Sequence, residues 1–169
     1  MPAPETELRP AQRADVPVIQ RLARAIWHTH YPGIITVAQI EYMLERGYAA
    51  AALAEFLDRS DAGLLLATAK GEPAGFAAWF LTEAPDEAKL DKLYVLPSCQ
   101  RTGLGGRLIA RVAEDARAAG ARTLILNVNK HNVQAIRAYE KHGFVVRDDV
   151  VVDIGEGYVM DDYVMAKPL

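Results

Sequence analysis

The sequence predicts a mixed α/β fold in a single domain over residues 1–169. Stretches with the apolar pattern of strands alternate along the chain with stretches whose apolar residues recur at helical spacing. A length of 169 residues falls in the usual range for one domain. Apolar residues make up 51% of the chain and charged residues 24%, which excludes a disordered or collagen-like protein.

The chain is predicted to start with a short strand at Glu5–Pro10, followed by a helix. Asp15 caps this helix, which runs to about Tyr31 and is ended by Pro32-Gly33. The apolar residues that recur at helical spacing along it are Val16, Ile19, Leu22 and Ile26.

Two more helices and three strands complete the first half. Thr36 and Gln39 form a capping-box pattern for the second helix, and the third covers Ala49–Arg59. The turn signal Lys70-Gly71-Glu72-Pro73 predicts a hairpin. Its two strands are Leu64–Ala69 and Ala74–Leu81, and a further strand over Leu90–Leu96 is closed by Pro97.

The second half alternates strands with helices. One apolar stripe predicts a helix over Gly103–Ala119, and Gly120 ends it. The remaining elements are a strand over Thr123–Val128, a short helix from the cap Asn132 to about Lys141, and two strands over Phe144–Asp153 and Tyr158–Lys167.

Charge and residue content exclude several classes of function. The net charge is −3 and no basic patch is visible, so nucleic acid is not an expected partner. The single cysteine, Cys99, excludes an internal disulfide, and the four histidines lack metal-ligand spacing, so no metal is expected. No apolar run reaches the roughly 18 residues of a membrane span, and Met1–Glu5 shows no secretory pattern. We therefore expect a cytoplasmic protein that binds no membrane.

The most informative segment links a predicted strand to a predicted helix and reads Gln100-Arg101-Thr102-Gly103-Leu104-Gly105-Gly106. The first turn of a helix has unpaired N–H groups and a dipole that favours negative charge, and glycine lets an oxyanion approach the backbone closely. The segment predicts a pyrophosphate-binding loop. The alternative is a plain tight turn before a helix.

Two common phosphate motifs do not fit this loop. A P-loop requires lysine and a hydroxyl residue after the glycines, but Gly105 is followed by Gly106 and Arg107. A dinucleotide fingerprint requires a third glycine where Leu108 stands, and no acidic residue lies in Thr123–Val128. The third pattern, Gln/Arg-x-x-Gly-x-Gly/Ala, matches fully.

Together with a second segment, this loop resembles the GNAT superfamily of acyl-CoA-dependent N-acetyltransferases. The second segment joins the strand Thr123–Val128 to Asn132-Val133-Gln134-Ala135 and Tyr139-Glu140-Lys141-His142-Gly143-Phe144. The resemblance implies a mixed, mostly antiparallel sheet with helices on both faces. It also implies that the strand Leu90–Leu96 carries a bulge and splays from Thr123–Val128.

The resemblance further implies where acetyl-CoA binds. The pantetheine arm would pair with backbone in the gap between the splayed strands, the N–H near Val95 would polarise the thioester carbonyl, and Asn132 would bond the pantetheine chain. Pyrophosphate would lie on the glycine loop. The implied cofactor-binding residues are Leu93, Tyr94, Val95, Gln100, Arg101, Thr102, Gly103, Leu104, Gly105, Gly106 and Asn132.

By the same resemblance, Tyr139 is the general acid that protonates the departing thiolate. A tyrosine hydroxyl stays protonated at neutral pH, although spacing alone would favour a core aromatic residue. Many relatives carry a glutamate base where this chain has Lys89. Asp91 is a weak candidate for the base, and a water chain is the deprotonation route that we expect.

The expected acceptor is a primary amine, and a small cationic amine such as a polyamine fits best. Weak resemblance to a bacterial subgroup that includes polyamine acetyltransferases supports this substrate. Apolar walls would come from the first two helices and their loop, and charge from the final hairpin. The residues are Trp27, Tyr31, Pro32, Ile34, Ile35, Tyr158, Asp161, Asp162 and Tyr163, although the two aspartates could equally form a solvated edge.

Other acceptors and one other class of function stay open. The acceptor could be a protein N-terminus, an amino acid or an antibiotic amine. The chain could also be a CoA-binding sensor without turnover, which Tyr139 argues against and Lys89 mildly favours. The sequence leaves the oligomeric state open, with a homodimer as one arrangement.

Overall fold

The computed structural model describes residues 5–169 and builds them around one seven-stranded sheet. Met1–Pro4, on which part of the secretory-signal prediction depended, lie outside the described residues. The strands are β1 Thr6–Pro10, β2 Ala62–Ala69, β3 Glu72–Leu81, β4 Glu87–Val95, β5 Thr123–Asn129, β6 Val145–Gly155 and β7 Tyr158–Pro168. The helices are α1 Val16–His30, α2 Val37–Gly47, α3 Ala50–Leu57, α4 Leu104–Ala118 and α5 Val133–Lys141.

The strand order is β1-β2-β3-β4-β5-β7-β6, and every neighbouring pair is antiparallel except β4 with β5. The parallel pairing joins only Glu87–Lys89 to Thr123–Ile125. Beyond those residues the two strands separate and leave a gap in the middle of the sheet. The predicted mostly antiparallel sheet with a splayed central pair is confirmed.

A bulge in β4 sets the orientation of its last residues. Ala78 of β3 pairs with Lys92 and the next residue, Trp79, pairs with Leu90, so Asp91 has no partner on β3. After the bulge, Leu93 and Val95 pack against the same core cluster as Leu90. The bulge predicted for this strand is thus confirmed.

Helices cover both faces of the sheet, as expected. The face under α4 and α5 has a core built around Leu104, Leu108 and Phe144. The opposite face, under α1, α2 and α3, has a core built around Ile19, Ile40 and Phe76. Neighbouring strand residues serve different faces, because successive side chains point to opposite sides of a sheet.

Two predicted helix caps differ in detail. The Asp15 side chain does not cap α1, because its carboxylate accepts hydrogen bonds from the Arg9 guanidinium at 2.7 and 2.8 Å and from the Gln12 N–H at 2.8 Å. Thr36 does cap α2 by accepting from the Gln39 N–H at 3.1 Å. The Gln39 side chain instead donates to the carbonyl of Val159, which ties α2 to β7. No helix within residues 5–169 combines the length and the apolar character that a bilayer crossing requires.

Candidate active site

The gap between β4 and β5 is the centre of the candidate site. Within residues 5–169, the segment Leu90–Val95 pairs with β3 alone, so its other backbone edge faces the gap. Leu93, Tyr94 and Val95, the predicted pantetheine partners, all lie in this segment with one unpaired edge. An unpaired strand edge can bind an extended amide chain through main-chain hydrogen bonds.

The loop Gln100–Gly106 lies directly after β4 and opens α4. Arg101 and Gly103 have positive φ values of 62° and 85°, which turn the chain into the helix. The first helical hydrogen bond is donated by the Arg107 N–H to the carbonyl of Gly103 at 3.1 Å. Within the part of the chain that the structure describes, the N–H groups of the three preceding residues have no backbone acceptor.

The two glycines at the start of α4 differ in the space around them. A Cβ at Gly105 would meet no atom within 4 Å, so the surface there is open to a ligand. A Cβ at Gly106 would lie 2.8 Å from the ring of His142, the residue after α5, so a side chain there would have to displace this exposed ring. The open surface at Gly105 and the unpaired N–H groups fit a pyrophosphate, and the exposed Arg101 stands beside them.

Tyr139 lies on α5 and is half-buried against the α4–α5 core. Its ring packs edge-on against Phe144, with the ring centroids 5.7 Å apart. Burial raises the pKa of its hydroxyl above the ordinary value, and the nearby Tyr31 acts in the same direction. Tyr139 is therefore protonated at neutral pH and can donate a proton.

Two tyrosines approach the gap from the opposite face of the sheet. The hydroxyl groups of Tyr31, at the end of α1, and Tyr94, on β4, lie 3.1 Å apart. Trp27 supports both rings, with centroid distances of 4.6 and 5.5 Å. Trp27 itself is buried, so the aromatic surface available to an acceptor is that of the half-buried Tyr31 and Tyr94.

Asn132, the predicted pantetheine partner, connects the two faces. Its side-chain oxygen accepts from the Ala135 N–H at 3.4 Å and so caps α5. The same oxygen lies 2.9 Å from Nε2 of His30, at the end of α1. No sequence signal indicated a role for His30, because the contact spans 102 residues.

The two aspartates of the final hairpin are not equivalent. The carboxylate of Asp161 is half-exposed and lies 2.7 Å from the Lys130 ammonium, which also binds Asp149. Asp162 is 2% exposed, and its Oδ1 has no hydrogen-bond partner. Burial raises the pKa of Asp162 to about 6, while the positive charge of Lys89 lowers it. The interpretation of both residues as a solvated edge is wrong for Asp162.

Asp91, the weak candidate for the base, lies in the β4 bulge and forms an ion pair with the next residue. Its carboxylate lies 2.6 Å from the ammonium of Lys92. That ammonium lies 5.2 and 5.9 Å from the ring centroids of Tyr48 and Phe56, at the end of α2 and in α3. Among residues 5–169, no group of three histidine, cysteine or acidic side chains is arranged to hold a metal ion.

The chain is similar to several known acetyltransferases. A family model described as the acetyltransferase (GNAT) family matches residues 22–144. An uncharacterized N-acetyltransferase of Mycobacterium bovis is 30% identical over 138 residues, which cover 82% of this chain and 87% of that protein. The ribosomal protein bS18-alanine N-acetyltransferase of Escherichia coli is 38% identical over 78 residues, which cover 46% of this chain and 51% of that protein.

A solved structure matches almost the whole chain. The PaiA N-acetyltransferase from Thermoplasma acidophilum, in complex with coenzyme A, superimposes with a TM-score of 0.85 at 25% identity. The match covers 98% of this chain and 99% of that protein.

Proposed function

The chain belongs to the GNAT family of acetyltransferases, and we propose that it transfers an acetyl group from acetyl-CoA directly to a small cationic amine such as a polyamine. The observation that carries the proposal is the gap between β4 and β5, which is followed by a loop with unpaired backbone N–H groups, with Tyr139 packed against the same core cluster as Leu93 and Val95. We also propose that residues 1–169 form one domain that acts in the cytoplasm, where acetyl-CoA is available.

Acetyl-CoA would be held by backbone more than by side chains. Its pyrophosphate would accept hydrogen bonds from the N–H groups at the start of α4, with Gly105 allowing close approach and Arg101 adding charge. Its amide chain would lie along Leu93–Val95 and reach Asn132. Gln100 supports the loop from within, because its side chain donates to the carbonyl of Val95 at 3.3 Å.

The chemistry requires a hydrogen-bond donor that stabilises the oxyanion and an acid that protonates the leaving group. The N–H near Val95 would stabilise the oxyanion that forms when the amine attacks the thioester carbonyl. The Tyr139 hydroxyl, which stays protonated because its pKa is raised, would protonate the leaving thiolate.

A cationic acceptor is supported on the α1 side of the gap. The unpartnered oxygen of Asp162 can accept from an ammonium, and the rings of Tyr31 and Tyr94 can face a cation. The second candidate acceptor is a peptide α-amine, which the 38% identity to the bS18-alanine N-acetyltransferase over 78 residues favours.

A competition between amines tests this choice. Wild-type protein is incubated with acetyl-CoA and either spermidine or an alanine-first peptide, and release of CoA thiol is followed. We expect spermidine to give the higher kcat/KM. A higher kcat/KM for the peptide would replace the polyamine by a protein N-terminus, and turnover of neither amine would contradict both candidate acceptors.

A further inference from the structure

Two charged side chains are buried among residues 5–169, and they differ in their hydrogen-bond partners. Asp15 is bound on both oxygens by Arg9. Asp162 leaves Oδ1 buried and without a hydrogen-bond partner. Burying a carboxylate in this way is unfavourable, so such a group points to a role in the site.

The position of Asp162 places it beside the gap. It lies on β7 opposite Asn129, at the end of β5 that has already separated from β4. The next residue on β7, Tyr163, faces the α4–α5 core together with Val128, its partner on β5. Because successive side chains on a strand point to opposite faces, Asp162 faces the side of α1. Its charge acts on the Tyr31 hydroxyl, which lies 3.1 Å from that of Tyr94.

We propose that Asp162 is the general base that accepts a proton from the acceptor ammonium. This proposal rests on the function proposed above. One N–H bond of the ammonium breaks, and the proton moves to Oδ1 of Asp162. The neutral nitrogen then attacks the thioester carbonyl and the C–S bond breaks. Tyr139 gives its proton to the thiolate and recovers one from the new amide nitrogen, and Asp162 releases its proton to solvent.

The electrostatics suit a base that works near neutral pH. Burial, and to a lesser extent Asp161, raise the pKa of Asp162 to about 6, so it is ionised at pH 7 yet more basic than an ordinary aspartate. The positive charges of Lys89 on β4 and Lys130 after β5 lower this pKa, as does a side-chain hydrogen bond with Asn127. Val150, its partner on β6, carries no charge. Lys89 would also lower the pKa of a bound ammonium.

Asp162→Asn removes the base at nearly constant shape, and Asp149→Asn is the matched control. Asp149 is exposed on β6 and binds the same Lys130 that acts on Asp162. At pH 7 we expect Asp162→Asn to lower kcat/KM for spermidine by about 10²-fold or more. The deficit should shrink at high pH and for an amine of low pKa such as glycinamide, because a larger fraction of the acceptor is then already neutral. Asp149→Asn should stay within about threefold of wild type.

A second variant leaves Asp162 in place. Lys89→Met removes the positive charge that lowers the pKa of Asp162, so the acidic limb of the kcat/KM profile should move to higher pH. The carboxyl carbon-13 NMR resonance of Asp162 should titrate near pH 6 in wild type and at higher pH in Lys89→Met. This NMR titration depends neither on turnover nor on whether Asp162→Asn folds.

The outcomes separate the base from the proposed function. If wild type acetylates spermidine and Asp162→Asn has an unchanged rate and pH profile, the base assignment is wrong and the proposed function stands. An acidic limb that does not follow the Asp162 resonance would also overturn it. If wild type binds acetyl-CoA but acetylates neither spermidine nor glycinamide, the proposed function fails instead.

Discussion

The hydroxyl groups of Tyr31 and Tyr94 lie 3.1 Å apart and join the end of α1 to the free part of β4. Tyr94 lies on the β4 segment whose backbone edge would hold the pantetheine arm, and Tyr31 borders the region proposed for the amine. Tyr31 also lies near enough to contribute to the raised pKa of Tyr139, which approaches from the other face. The groups proposed as the acid, the amine site and the thioester backbone therefore lie close together at this gap.

Gly105→Val should abolish binding of CoA without unfolding the protein. The added side chain enters open space in the protein but occupies the surface where pyrophosphate would approach the backbone. Thermal unfolding with and without CoA measures this, because a ligand of the folded state raises Tm. Wild type should gain Tm with CoA and far less with ATP or NAD.

Gly47→Val is the matched control for the loop, since a Cβ there also meets no atom within 4 Å and Gly47 is the last residue of α2. It should keep the full CoA shift. A shift of equal size in wild type and Gly105→Val would refute the assignment of this loop to pyrophosphate.

Tyr139→Phe should lower kcat by roughly 10²–10⁴-fold, which is the usual contribution of a general acid. The ring keeps its contact with Phe144, so folding and the affinity for acetyl-CoA should change little. Tyr48→Phe is the control, because the Tyr48 hydroxyl is buried without a hydrogen-bond partner. Steady-state kinetics that showed equal kcat values for all three proteins would assign Tyr139 to packing.

Asn132→Ser should separate helix capping from cofactor binding. Serine can replace the cap on the Ala135 N–H, so the free energy of unfolding should fall by less than about 1 kcal/mol. Serine lacks the amide that would bond pantetheine, so affinity for acetyl-CoA should fall. His30→Ala removes the other partner of Asn132 and should leave that affinity unchanged, as measured by calorimetry. Equal affinity in Asn132→Ser and wild type would contradict the pantetheine contact.

The free energy of unfolding should depend on pH through the titration of Asp162. Its pKa of about 6 in the folded state exceeds the ordinary 3.8, so the folded chain holds this proton more tightly than the unfolded chain. The resulting contribution is present below about pH 4 and is lost as the pH rises to 6, on the order of 2–3 kcal/mol. Urea unfolding of Asp162→Asn should show a weaker decline across this window than wild type. Parallel curves would mean that Asp162 titrates normally.

The features that depend on neighbouring residues could be predicted from the sequence. The glycine loop and the helix that it opens are local, so their pattern predicted α4 correctly. The hairpin turn at Lys70-Gly71 followed from its residues, and both adopt positive φ. The splay of β4 from β5 followed only from resemblance to a family, because no local pattern encodes it.

The features that depend on strand register could not be predicted. The burial of Asp162 follows from its pairing with Asn129 on β5, and the contact of His30 with Asn132 follows from the docking of α1 across the gap. Asp15 fits a helix cap by sequence, but Arg9 of β1 lies close enough to bind its carboxylate instead. In each case a residue of another secondary-structure element determines the role.

The central claim is direct acetyl transfer to an amine at the gap between β4 and β5. Acetyl-CoA labelled in the acetyl group is incubated with spermidine and either wild type or Tyr139→Phe, and labelled amine and released thiol are counted together. We predict one labelled amine per thiol for wild type and a rate at least about 10²-fold lower for Tyr139→Phe. Thiol release without labelled spermidine, or equal rates for both proteins, would contradict the account.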